Sequence, residues 1–241
     1  MSDYFYRRLP RAIQSRTEEL VMTLKEVLGD DLGSFVVHGS AARDDWKEGA
    51  SDIDVIVVLA RSNRDILEKI ASPLAVARGA ARVEAMILVE DEIARAADVF
   101  PLLYDDIRRN HAVLHGSDPF ASLVVERRHL RLRIEQELRD LKIRLRRAVT
   151  EARGHQGTLG ATVTRKVRQA RFPLRALLGL LGAECKDDFE TVITKSGKRF
   201  QVDVTPLLRS KERAHEAVDV LAELLAAAVK AVDSLDEGAA A

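Results

Sequence analysis

Phe35-Val36-Val37-His38-Gly39-Ser40 and, with eleven residues between, Asp52-Ile53-Asp54-Val55-Ile56-Val57-Val58-Leu59 are the two runs on which the fold turns. Each is an apolar stretch of buried-strand length. The first ends in Gly-Ser; the second opens on two carboxylates one residue apart. Along a strand, alternate side chains share a face, so Asp52 and Asp54 lie on one side and Ile53 and Val55 on the other. Two acids at the head of a buried strand repel each other unless a positive charge sits between them. A divalent cation answers that need, and all-oxygen ligands suit magnesium. Gly39-Ser40, leading into a short helix at Ala41-Ala42-Arg43, lets the backbone approach an anion and offers N–H groups at a positive helix end. Metal-binding acids beside an anion cradle describe a site for a nucleoside triphosphate. Arg43 would sit within reach of its phosphates, and Gly49 permits the sharp turn into the second strand.

Further along, Ala81-Arg82-Val83-Glu84-Ala85-Met86-Ile87-Leu88-Val89 is a strand interrupted by one acid. If it pairs beside the Asp52/Asp54 strand, Glu84 completes a carboxylate triad; otherwise Glu84 is an edge residue or a partner of Arg82. The remaining pattern is helical. A stripe at Ile13, Leu20, Val21, Leu24, Val27 and Leu28 ends at Gly29, and 63–71 reads as a second helix. A helix, a short strand and a Gly-Ser-Asp-Pro turn fill 98–119. Leu130, Ile134, Leu138, Leu141, Leu145 and Ala148 form the seam of a long bundle helix, broken at Gly154–Gly160. A helix over 161–181 follows, then a short piece at 183–192, a polar turn at 195–200 and a last helix over 213–236.

This order gives an α+β fold with a boundary near 115–122: residues 1–119 form a mixed sheet flanked by helices, and 120–241 an all-helical bundle. At 46% hydrophobic residues the chain can build cores and is not disordered. A single cysteine, Cys185, excludes a disulfide framework or a cysteine metal cluster. No apolar run reaches membrane-spanning length and the first 20 residues lack a signal-peptide core, which predicts a cytoplasmic protein with no membrane partner. The net charge is zero, but residues 126–175 hold 15 basic and 5 acidic side chains. That excess predicts either an anionic partner or a solvated helix face.

An apolar strand, Gly-Ser, about a dozen residues and Asp-x-Asp resembles the signature of the nucleotidyltransferase superfamily, whose fold is that of DNA polymerase beta. Val-Glu-Ala-Met-Ile-Leu at 83–88 resembles most the aminoglycoside adenylyltransferases, which carry a C-terminal helical domain. The close motif matches cover residues 34–59 and 81–89; the helical half matches by architecture alone. The family often has glycine at the position of Asp44.

The resemblance implies catalytic and magnesium-binding roles for Asp52, Asp54 and Glu84, with Glu84 as the base for an attacking hydroxyl. It implies that Gly39, Ser40 and Arg43 bind the nucleotide. Lys142 or Arg139 on the long helix could contact the α-phosphate, with the helical domain closing over the nucleotide and carrying the acceptor site. The expected reaction moves AMP from ATP to a hydroxyl, as on an aminoglycoside. Asp105, Asp106, Glu135 and Glu137 could form the acidic pocket such a polycation needs. The alternatives are a protein or RNA acceptor, as in toxin–antitoxin nucleotidyltransferases, or a non-catalytic nucleotide-binding module.

Overall fold

The computed structural model describes residues 4, 6–43, 46–183, 186 and 188–237. Asp44, Cys185 and the tail beyond Glu237 lie outside the described residues. The chain divides into two compact units, Met1–Val125 and Glu126–Ala241. The first is a mixed sheet flanked by helices and the second is helical, the α+β architecture expected.

In the first unit α1 (Arg11–Leu28) buries Leu20, Val21, Leu24 and Leu28 and stops at Gly29, whose φ is +54°. Four strands follow: β1 (Leu32–His38), β2 (Ile53–Leu59), β3 (Val83–Val89) and β4 (His111–Gly116), in the order β3-β2-β1-β4. β1 runs antiparallel to β2 and β4, while β2 and β3 are parallel. The parallel pair requires a crossover, supplied by α2 (Arg64–Ala81).

The apolar runs 35–37 of β1 and 55–59 of β2 do not alternate with polar residues because both faces are covered. Phe35, Val37, Ile53, Val55 and Val57 pack with α1 and α2 on one side. On the other, Val36, Ile56 and Val58 pack with Ile93 of α3 (Glu90–Ala96), with Tyr104 and Ile107 of α4 (Pro101–Arg109), and with Phe120. Asp54 shares parity with Ile56 and Val58 and sits at the open end of this second face.

α2 runs ten residues beyond its expected end at 71. It passes through Pro73 and stops at Arg82, whose φ of +54° places it in the left-handed region and whose N–H returns to Arg78 O at 2.9 Å. Asn63 starts it by accepting the Ile66 N–H at 2.9 Å. Proline ordinarily breaks such a pattern; here burial of Ile66, Ile70, Ala77 and Ala81 carries the helix past it.

In the second unit α5 (Arg127–Ala152) packs on α6 (Gln156–Leu180), and both pack on α9 (Ala214–Glu237). The expected seam holds: Leu130, Ile134, Leu138, Leu141, Leu145 and Ala148 are all buried. The break after α5 is narrower than Gly154–Gly160. It consists of Arg153 and Gly154, both at positive φ, and His155, while Gly157 and Gly160 lie inside α6.

The turn expected at 195–200 is instead helix, part of α7 (Phe189–Phe200). Ser196 is fully buried, and a Cβ on Gly197 would come within 2.7 Å of Val202 O. A sequence that reads as turn chemistry thus serves close backbone packing, and the helix ends one step later at Gln201, φ +59°. A short helix, α8 (Thr205–Leu208), precedes α9. Among the described residues no helix is long and apolar enough to cross a membrane.

Candidate active site

The site lies at the end of the sheet where β1 stops and β2 and β3 start. His38 ends β1, and a single 3₁₀ turn, Gly39–Ala42, follows it. Gly39 has φ +66°, and a Cβ placed on it would collide with Asp54 Oδ2 and lie 3.2 Å from Asp54 Cγ. Only glycine lets this corner rest on that carboxylate. The Gly-Ser corner and Asp54 therefore form one structure. In the β2–β3 ladder Asp54 stands directly opposite Glu84, and Asp52 lies two residues back on Asp54's side.

Asp54 has no ion-pair partner among the described residues. Burial holds its pKa above the usual carboxylate value, reinforced by the negative charges of Asp52, Glu84 and Asp106 against the positive charge of Arg43. Its two neighbours are each held by an arginine. Arg82 Nε donates to Asp52 Oδ1 at 2.8 Å while its Nη1 donates to Gly49 O at 2.9 Å. Arg78 Nη2 lies 2.8 Å from Glu84 Oε1. The pairing considered for Glu84 is thus corrected: its partner is Arg78, and Arg82 serves Asp52.

Arg43, expected in a short helix reaching phosphate, instead follows the 3₁₀ turn and donates through Nη1 to Asp106 Oδ2 at 2.8 Å. Their side chains are only 11% and 10% exposed. Asn110 donates to the other oxygen of Asp106 at 3.1 Å. Lys142 lies half-buried on α5 in the second unit. Arg139 is engaged there by Glu135 at 2.6 Å and by both oxygens of Asp233 on α9 at 3.0 and 3.1 Å.

His38, which sequence reasoning passed over, pairs across the ladder with His111. Burial first, then the charges of Arg43 and His111, lowers its pKa from 6.5 to about 4. His111 donates from Nδ1 to Ile107 O at 2.8 Å, since a carbonyl only accepts. His38 is therefore neutral at pH 7. Between pH 6.5 and 4 the unfolded chain takes up a proton at this position that the folded chain does not, so stability falls as pH falls through that window. From pH 7 to pH 5 the loss attributable to His38 is about 2 kcal/mol. Urea unfolding at the two pH values checks this: His38→Gln should shrink the difference by that amount.

The donor set suits a hard divalent cation: Asp54 and Glu84 face each other across the ladder, Asp52 just precedes β2, and Asp54 is crowded by negative charge. Among the described residues, however, no three His, Cys, Asp or Glu side chains converge as a finished metal cage. Asp52 and Glu84 face their arginines instead.

Several arginines of the basic segment are likewise engaged: Arg131 with Glu135, Arg133 with Glu137, Arg144 with Asp140 and Arg147 with Glu151. So are the acids considered for a polycation pocket. Asp105 is held by Arg108 and Arg109, and Asp106, Glu135 and Glu137 by the arginines already given.

A comparison with solved structures finds likeness to the spectinomycin adenyltransferase AAD(9) from Enterococcus faecialis, in a crystal structure with ATP and spectinomycin. The TM-score is 0.51 at 13% identity, covering 91% of this chain and 99% of that one. At that identity the likeness establishes the fold. Comparison with curated proteins gives no match. The sequence model described as Nucleotidyltransferase domain matches residues 20–159. That span contains the Gly-Ser corner, all three carboxylates and more than half of the chain, and on it the chain belongs to the nucleotidyltransferase domain family.

Proposed function

We propose that this chain transfers a nucleoside monophosphate, AMP from ATP, to a hydroxyl group, at a centre built from Asp52, Asp54 and Glu84 with Gly39 and Ser40. The observation that carries the reading is the contact of the Gly39 corner with Asp54, opposite Glu84 in the ladder. Asp52 and Asp54, with Glu84 beside them, would hold magnesium, which when bound neutralises charge on the phosphates and aligns the leaving pyrophosphate. Gly39 and Ser40 present backbone to the β- and γ-phosphates. Arg43, committed to Asp106, lends its charge to the pocket through space and does not need to touch phosphate. Glu84 accepts the proton of the attacking hydroxyl once the hydroxyl is in line with the α-phosphate. ATP as donor is supported by the fold relative, whose structure contains it.

The acceptor is proposed only as a hydroxyl compound. The paired acids weaken the case for a polycation, while the basic residues of 126–175 outnumber its five acids and keep an RNA acceptor as an alternative. Incubation with each α-labelled nucleoside triphosphate, magnesium and a panel of small-molecule, protein and RNA acceptors tests the reaction. The expected result is label on one acceptor class with release of pyrophosphate. Magnesium-independent labelling, or none with any acceptor, would contradict it. Within that assay Glu84→Gln should slow the chemical step by roughly 10²–10⁴, well beyond its effect on nucleotide affinity. Equal loss of both would mean that Glu84 acts as a ligand or a structural residue and not primarily as the base.

A further inference from the structure

The C-terminal end of α2 and the residue that caps it place two arginines on the candidate metal carboxylates. Arg78 lies in the last turn of α2, and Arg82 is the left-handed residue that caps it. Arg82 is held at the helix end by its left-handed backbone, by its N–H to Arg78 O and by its own bond to Gly49 O. Their guanidinium groups reach the two acids that flank Asp54 and leave Asp54 itself without one. An oxygen engaged by a guanidinium cannot give the same lone pair to a cation. Yet the pairs are solvated: Arg78 and Glu84 are 67% and 43% exposed, Arg82 and Asp52 52% and 43%. Ion pairs of this kind are weak enough to be exchanged.

We propose that Arg78 and Arg82 form an exchange latch: they compete with a divalent cation for Glu84 and Asp52, and pass to the nucleotide's phosphates when the cation arrives with a triphosphate. This rests on the metal site proposed above and adds an order to its filling. A bare cation meets two carboxylates each already paired with a guanidinium through one oxygen, and only Asp54 is without such a pair. A cation carrying a triphosphate brings its own anionic oxygens, to which the displaced guanidinium groups can turn, so neither charge is left without a partner. Arg78 and Arg82 are then positioning residues that favour the metal–nucleotide complex over free metal. Replacing both should therefore move the two affinities in opposite directions, which a merely structural role would not do.

The test is binding, without turnover. Full-length protein stripped of metal by a chelator is titrated with Mn²⁺, free ion being read by electron paramagnetic resonance, with and without ATP. Wild type is compared with Arg78→Gln, Arg78→Gln/Arg82→Gln and Asp54→Asn. The double variant should bind Mn²⁺ alone roughly two- to tenfold more tightly than wild type and Mn²⁺–ATP more weakly. Arg78→Gln, at an exposed position in the last turn of α2, should show the same signs at smaller size and serves if the double variant does not fold. Lysine at both positions should behave nearer to wild type. Unchanged or weaker Mn²⁺ binding by the glutamine variants would overturn the competition, and unchanged Mn²⁺–ATP binding would overturn the hand-over. Wild-type protein that fails to bind Mn²⁺–ATP, or Asp54→Asn that binds it equally well, would instead remove the metal site on which the latch depends.

Discussion

Asp54→Asn is expected to abolish nucleotidyl transfer and at the same time to make the protein more stable. The loss of transfer should be on the order of 10³-fold or more, as when a principal electrostatic contact to the transition state is removed. The gain in stability follows from the same environment. Folding places the Asp54 carboxylate in a half-buried position near Asp52, Glu84 and Asp106, with Arg43 only partly compensating, and so raises its pKa. At neutral pH the charged form carries that penalty in the folded state and not in the unfolded one. As pH falls through the raised pKa, Asp54 takes up a proton and the penalty is relieved. An amide never carries it.

The effect of acid on Asp54 is thus opposite in sign to that on His38. With Asp54 gone, the loss of stability toward pH 4 should steepen. Thermal unfolding of both proteins at pH 7 and at pH 4 reads this directly. A variant less stable than wild type at pH 7 would mean that Asp54 supports the fold and is not one of the strained residues that active sites retain at a cost in stability.

The second large effect belongs to Gly39→Ala. Two penalties combine at this position: a left-handed φ of +66° and a Cβ driven into Asp54 Oδ2. Left-handed backbone costs a non-glycine residue about 1–2 kcal/mol, and displacing a packed neighbour typically adds about 1–3 kcal/mol. Gly49 provides the control. Its φ of +72° is as demanding, but a Cβ there meets nothing within 4 Å. Gly49→Ala should therefore show the backbone penalty alone, and the excess loss in Gly39→Ala measures the contact with Asp54. Because that contact joins the phosphate corner to the carboxylates, Gly39→Ala should also lose nucleotide binding, measurable by calorimetry. Equal destabilisation by the two substitutions would separate the corner from Asp54.

The parts of this site that were legible in the sequence are those carried by local periodicity. β1 and β2 announced themselves because burial on both faces leaves no polar interruption until Asp54, and the α5 seam because six apolar positions keep helical spacing over five turns. Glu84 stood out for the same reason, as one acid in an apolar strand. What escaped was set by tertiary packing. Pro73 and Ser196-Gly197 carry strong local signals for a break and a turn, yet helix continues through both because buried neighbours require it. The partnerships of Arg78, Arg82, Arg43 and Asp106, and the pairing of His38 with His111, depend on the strand order β3-β2-β1-β4 and on where α4 lies, neither of which any short window encodes.

The claim on which the rest depends is that Asp54, under the Gly39 corner, helps to hold the cation that accompanies the nucleotide. Calorimetric titration of ATP into wild type and Asp54→Asn, each with and without magnesium, tests it most directly. The account predicts that magnesium strengthens ATP binding to the wild type and has little effect on the variant, with both proteins folded. The same magnesium dependence in both would place the cation elsewhere and contradict it.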